Sequence, residues 1–164
     1  TETEVVVVEL EEDGAVGRGE CGPNARYGES AAGVVGQLEA VRGAVEAGID
    51  RVAAQALLPP GAARNALDCA LWDLEAKRSG TPAWRLAGLA EPASLVTAYT
   101  LSIDTPERML EAAEAVADRP LLKLKLAGDE HDLTRVRAVS AAAQGARLIV
   151  DANEALTPEK LAFL

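Results

Sequence analysis

The chain has 164 residues, 49% of them apolar, and a formal net charge of −10 from 26 acidic and 16 basic residues. That length suits one large globular domain or two small ones. An acid excess with no basic, aromatic-interleaved patch argues against a nucleic-acid partner, and no apolar run approaches a membrane span.

Residues 3–10 have strand composition, Glu12-Asp13-Gly14 has turn composition, and Ala15 to Glu20 return as a second strand. Cys21 to Glu29 form a loop that carries Arg26 and Tyr27. Ser30 is placed to cap a helix running to about Ala47 and ended by Gly48. Gly33, Gly36 and Gly43 weaken that helix, so packing must support it. Leu58-Pro-Pro-Gly61 breaks the chain before a stronger helix, Ala62 to about Ser79, stopped by Gly80 and Pro82. Leu67, Ala70, Leu71 and Leu74 recur on it at helical spacing, with Trp72 expected in the same core. Up to about residue 92 the pattern is an α+β unit.

From Ala93 strands and helices alternate. Strands are expected at 95–102, 121–126 and 147–151, and helices at 105–118, 131–143 and 157–164. Thr105-Pro106 and Thr157-Pro158 both read as helix starts with proline at the first position. Three successive β/α units predict a parallel sheet, open or the start of a barrel. No Gly-x-Gly-x-x-Gly, phosphate-binding loop, C-x-x-C or H-x-x-x-H spacing accompanies it. Cys21 and Cys69 are expected as buried, reduced thiols, which suits a cytoplasmic location.

Two stretches of this second region carry chemistry. In Leu121-Leu-Lys-Leu-Lys-Leu126, strand alternation puts Lys123 and Lys125 on one face and the leucines on the other. In Leu148-Ile-Val-Asp-Ala-Asn153, the same rule puts Asp151 and Asn153 on one side. If the two strands are parallel neighbours, two ammonium groups and a carboxylate converge at their carboxyl ends. Taken alone, a Lys-x-Lys pair is most often a solvated face, Asp151 a cap, and Arg26 a loop arginine. His131 reads as a surface or capping residue. The covered faces of a parallel sheet make unpaired lysines costly, and that favours a site.

Four stretches together resemble the enolase superfamily, in its muconate-lactonizing branch and most closely the dipeptide epimerases. They are Gly19-Glu-Cys with Ala25-Arg-Tyr-Gly-Glu-Ser30, Ala63 to Leu74, Lys123-Leu-Lys125, and Ile149-Val-Asp-Ala-Asn-Glu154. The resemblance implies an α+β capping domain, 1–92, followed by the first three β/α units, 93–164, of a modified (β/α)7β TIM-like barrel. It implies Lys125 as the base that takes the substrate's α-proton, with Lys123 its partner at the substrate carboxylate. It implies Asp151 as one of three carboxylates on a Mg2+ ion, Asn153 as a residue behind that shell, and Arg26 and Thr100 as substrate contacts. The implied substrate is a small dipeptide of the Ala-Glu type, with no membrane or nucleic acid involved and homo-oligomerisation left open.

The implied reaction explains these residue types. A proton α to a carboxylate is too weakly acidic for an unaided amine, so a divalent cation must stabilise the resulting charge. The rival readings are an N-acylamino-acid racemase, an o-succinylbenzoate synthase or a cycloisomerase of the same branch, or a non-catalytic fragment. The remaining metal carboxylates and an opposing lysine have no counterpart before residue 164. The first residues run straight into a strand and the final helix stops after two turns. A native polypeptide of about twice this length is therefore expected.

Overall fold

Alternation in the opening valine run is realised as a half-buried strand. Val6 is buried and Val8 and Leu10 pack inward, while Val7 is 52% exposed. In the computed structural model, which describes residues 3–162, the chain divides into two compact units, one ending at Pro92 and the other beginning at Ala93.

In the first unit β1 (Val6–Glu12) pairs antiparallel with β2 (Ala15–Cys21). Asp13 and Gly14 between them both take positive φ, 52° and 77°, the twist that a two-residue hairpin needs. A short 3-10 turn, Ala25–Tyr27, follows in the loop. Then come α1 (Ala31–Glu46), α2 (Arg51–Ala54), α3 (Ala62–Ser79) and α4 (Ala83–Leu86). Ser30 caps α1 as expected, its Oγ accepting from the Gly33 N–H at 3.2 Å. Val34, Leu38, Val41 and Val45 pack that glycine-weakened helix onto the core. Gly80 ends α3 in the left-handed conformation, φ 64°. The α3 helix lies directly on β2, and Gly17 and Gly19 make this possible. A Cβ on Gly19 would stand 2.6 Å from the Ala70 nitrogen, and one on Gly17 2.5 Å from Leu74 Cβ.

Two expectations fail on α3. Trp72 is only half-buried, because the core stripe runs through Ala63, Ala66, Leu67, Ala70, Leu71 and Leu74. It carries the Arg51 guanidinium 3.7 Å from its ring centroid instead. Cys69 also falls off that stripe and is exposed; only Cys21 is a buried thiol. The one-turn helices α2 and α4 escape the sequence because four residues cannot show a helical period.

The second unit runs β3 (Tyr99–Leu101), α5 (Pro106–Glu114), β4 (Leu121–Lys125), α6 (Asp132–Ala142), β5 (Arg147–Asp151) and α7 (Pro158–Leu161). The sheet is parallel, in the order β3-β4-β5. Thr105 and Thr157 cap α5 and α7, each with proline at the helix start. The strand expected over 95–102 shrinks to three residues. Leu95 and Val96 before it are 90% and 60% exposed and pair with nothing among the described residues. Helix α5 stops four residues short of its expected end, and residues 163–164 of the expected last helix lie outside the described residues. Leu122, Leu124 and Leu126 are buried against Met109, Ala113 and Val139. At roughly 1.5–3 kcal/mol for each fully buried side chain, this leucine face settles which way β4 turns. The lysines are thereby presented on the opposite face.

Candidate functional site

Strand register assembles the cluster. Lys125 on β4 stands opposite Asp151 on β5, Lys123 opposite Ile149, and Thr100 on β3 opposite Lys123. The Nζ atoms of Lys123 and Lys125 both lie 2.8 Å from Asp151 Oδ2. Lys125 also donates to Asn153 Oδ1 at 2.8 Å, and the Asn153 N–H donates to Asp151 Oδ1 at 3.0 Å. The three charged side chains are 33%, 30% and 26% exposed, sheltered but reachable. Hydrogen bonds from Lys123, then Lys125, then the Asn153 N–H hold the Asp151 carboxyl well below the usual carboxylate range. It is therefore an anion at neutral pH.

Asn153 reaches the cluster by a different route from the one alternation suggests. Pairing of β5 ends at Asp151, and Asn153 and Glu154 turn through positive φ, 46° and 70°. Two successive non-glycine residues in that region are uncommon and are held by their surroundings. Here the turn swings the Asn153 amide back toward Lys125.

The loops that carry these strand ends are tied by residues the sequence did not single out. Asp132, 3% exposed, accepts from the Ala127 N–H at 3.0 Å and the Gly128 N–H at 2.7 Å. Arg135, 7% exposed, donates to Asp132 at 2.8 Å, to Asp129 at 2.6 Å and to the Asp104 carbonyl at 2.8 Å. Lys160 donates to the Gly128 carbonyl. One signal was available: Arg135 and Val139 are four apart, so the arginine shares the helix face that enters the core.

Arg26 belongs to the first unit, exposed in the 3-10 turn. Its N–H donates to Asn24 Oδ1 at 3.0 Å. Glu29 closes the loop, taking the Asn24 N–H at 3.1 Å and the Ala62 N–H at the start of α3 at 2.7 Å. Thr100 is exposed beside Lys123, and His131 precedes α6 without a side-chain capping bond. The structure thus brings together Lys123, Lys125, Asp151 and Asn153, with Thr100 on the neighbouring strand.

Asp151 supplies an oxygen donor of the kind Mg2+ prefers. Among the described residues no three His, Cys, Asp or Glu side chains are grouped to hold a metal. The described residues therefore offer one such oxygen donor and not a complete metal site.

An α+β unit followed by parallel β/α units, with charged groups on one face at the strand ends, defines a mixed α/β class, and in complete barrels of such units the sites are built at the carboxyl ends of the strands. Residues 1–88 match the N-terminal domain of the mandelate racemase/muconate lactonizing enzyme family, and the chain belongs to that family, within the enolase superfamily. It is 48% identical to the L-Ala-D/L-Glu epimerase of Escherichia coli, over 99% of this chain and 51% of that protein. It is 40% identical to an N-acetyl-D-glutamate racemase of a Pseudoalteromonas species, over 92% of this chain and 48% of that protein. An enolase family member from Agrobacterium tumefaciens, solved with sodium and L-Ala-L-Glu, superposes with a TM-score of 0.88 at 46% identity, over 98% of this chain and 49% of that one. A dipeptide epimerase from Cytophaga hutchinsonii, solved with Mg and D-Ala-L-Val, gives 0.81 at 29% identity, over 97% and 48%. The chain spans about half the length of the curated relatives it matches. No helix among the described residues is long and apolar enough to cross a membrane.

Proposed function

We propose that this chain supplies the first half of the active site of a Mg2+-dependent dipeptide epimerase acting on Ala-Glu-type dipeptides. The observation that carries the reading is the pair of lysines meeting Asp151 at 2.8 Å on one face of adjacent parallel strands. In this reading residues 1–92 are the cap and 93–164 the first three units of the barrel. Lys125 is the base. In its neutral amine form its Nζ takes the α-proton and becomes the ammonium as the C–H bond breaks, and the electron pair moves into the substrate carboxylate to give an enolate. Lys123 binds that carboxylate, and Asn153 orients Lys125. The returning proton comes from a group on the opposite face, outside this chain. Asp151 would contribute one carboxylate ligand to Mg2+, with further ligands from outside the chain. When bound, the cation stabilises the negative charge gained by the carboxylate oxygens. Thr100 lines the same pocket, and Arg26 pairs with the substrate's acidic side chain.

The test is exchange of the α-proton with solvent deuterium, followed by NMR, in the complete polypeptide. Lys125→Ala should slow exchange from one epimer of Ala-Glu at least ~10²-fold, the usual loss for a positioned base. Unchanged exchange from both epimers would remove Lys125 from the mechanism. A second reading, racemisation of an N-acylated glutamate, is favoured by the 40% identical racemase. Ala-Glu and N-acetylglutamate are both glutamates acylated on nitrogen, so the same lysines would serve. Comparing kcat/KM for the two compounds decides between them.

A further inference from the structure

A base and its partner carboxylate are useful only if the ends of their strands are held in place. The ends of β3, β4 and β5 each run into a loop, and one buried pair touches two of these loops directly. Through Asp132 the pair holds the amides of Ala127 and Gly128, just beyond Lys125. Through Arg135 it holds the Asp104 carbonyl after β3 and the Asp129 carboxylate after β4. The third loop is joined at Gly128. That residue takes φ 76°, and a Cβ there would stand 2.6 Å from Ala155 Cβ, so the loop after β4 rests directly on the loop after β5. Lys160 of α7 adds to the same contact by donating to the Gly128 carbonyl.

We propose that Asp132 and Arg135 are a positioning pair that ties the three strand-end loops into one rigid rim and so fixes Lys125 against Asp151. This rests on the reading of Lys125 as the base. A helix-capping role alone does not account for the geometry. The Asp132 oxygens take N–H groups four and five residues upstream, outside α6 and its first turn. Surface ion pairing does not account for it either, because the two residues are 3% and 7% exposed. Charged groups are buried to that depth when hydrogen bonds to fixed partners satisfy them. An arginine is needed because its planar fork reaches a carbonyl and two carboxylates at once, which an ammonium cannot copy.

The test compares Asp132→Asn, Arg135→Ala and Arg135→Lys in the full-length enzyme, with activity expressed per folded molecule. Misplacing a base by a fraction of an ångström lowers the rate of the chemical step and leaves ground-state binding largely intact. We expect Asp132→Asn and Arg135→Ala to lower kcat for α-proton exchange by ~10–100-fold, with KM within ~3-fold of wild type. Arg135→Lys should fall between Arg135→Ala and wild type. Amide hydrogen exchange should accelerate at Ala127 and Gly128 in all three. Wild-type kcat in the folded variants, or a loss that merely follows the folded fraction, would overturn the proposal. Should Arg135→Ala fail to fold, Asp129→Asn removes a more exposed partner of the same guanidinium and should give a smaller loss of the same kind. Unchanged kcat in a folded Asp129→Asn together with unchanged amide exchange would count against the rim. A wild-type enzyme inert toward every dipeptide would sink the epimerase reading alone. The rim is then judged by amide exchange, where undiminished protection in Asp132→Asn overturns it.

Discussion

Asp151 is the residue on which the cluster turns, because one of its oxygens takes both lysines and the other takes the Asn153 amide. An amide in its place would carry no charge to balance two ammonium groups. Under the proposed function, Asp151→Asn in the complete polypeptide should leave little turnover and weaken Mg2+ binding, since a neutral ligand replaces an anion at a hard cation. Titrating Mg2+ by calorimetry checks this directly. Activity that survives both the substitution and exhaustive chelation would defeat the metal-assisted scheme. Arg26 makes a second test. If it pairs with the substrate's acidic side chain, Arg26→Ala should reduce kcat/KM for Ala-Glu by about 1.5–3 kcal/mol, the range for a charged hydrogen bond. It should barely change kcat/KM for dipeptides ending in Leu or Phe. Equal losses on both substrate sets would make Arg26 structural.

Among the elements, the contact of β2 with α3 is the least forgiving. A methyl on Gly19 would press into the Ala66 carbonyl and the Ala70 nitrogen, and neither backbone can retreat as a side-chain tip would. Gly19→Ala should therefore destabilise the chain by about 3 kcal/mol, at the upper end of overpacking, whereas Gly36→Ala, with open space around it, should not. Chemical denaturation of the two variants makes the comparison. The elements also show which information was local. Strand β4 was legible because leucine alternates with lysine from Leu122 to Lys125, and β5 because the apolar run Leu148-Ile149-Val150 leads straight into Asp151. Helices α1 and α3 were legible from Ser30, Gly80 and the apolar stripe. The shortness of β3 was not, because residues 95–98 have strand composition and only the missing neighbour excludes them. Asp132 was hidden for the opposite reason: in sequence it looks like an ordinary helix-surface charge, and burial is a property of the packed unit, while Arg135 was betrayed only by its spacing to Val139. The Lys125–Asp151 pairing could be anticipated from register alone, but Asn153 arrives by a left-handed turn that no alternation rule contains.

At the scale of the whole molecule, acid should act through carboxylates held by partners. Hydrogen bonds from Arg135 lower the Asp129 value, and hydrogen bonds from Lys123 and Lys125 lower that of Asp151. Each is depressed in the folded chain relative to the unfolded one. Their contribution is therefore complete above the ordinary carboxylate value of ~3.9 and is lost as pH falls through the folded values. Stability measured against pH should be flat near neutrality and decline below about pH 4. Asp129→Asn should make that decline shallower while lowering the neutral plateau. A slope unchanged by the substitution would mean that other carboxylates dominate. The parallel sheet adds a second expectation, since among the described residues β3 and β5 each pair on one side only. Open strand edges invite association. Residues 1–164 expressed alone should accordingly self-associate, and a monodisperse, cooperatively unfolding monomer would contradict the half-barrel reading.

The stacking of Arg51 on Trp72 has an optical consequence. The chain holds two tryptophans, Trp72 and Trp84, and both precede Pro92; each has an arginine over its ring, Arg51 at 3.7 Å and Arg85 at 5.0 Å. Indole emission from this chain therefore reports on the first unit alone, while far-ultraviolet dichroism sums over both. If the units unfold together, the two signals will trace one denaturation curve; if they unfold separately, the curves will part. The emission of Trp72 should also shift when Arg51 is replaced by Met, which identifies the Trp72 part of the signal without any added label.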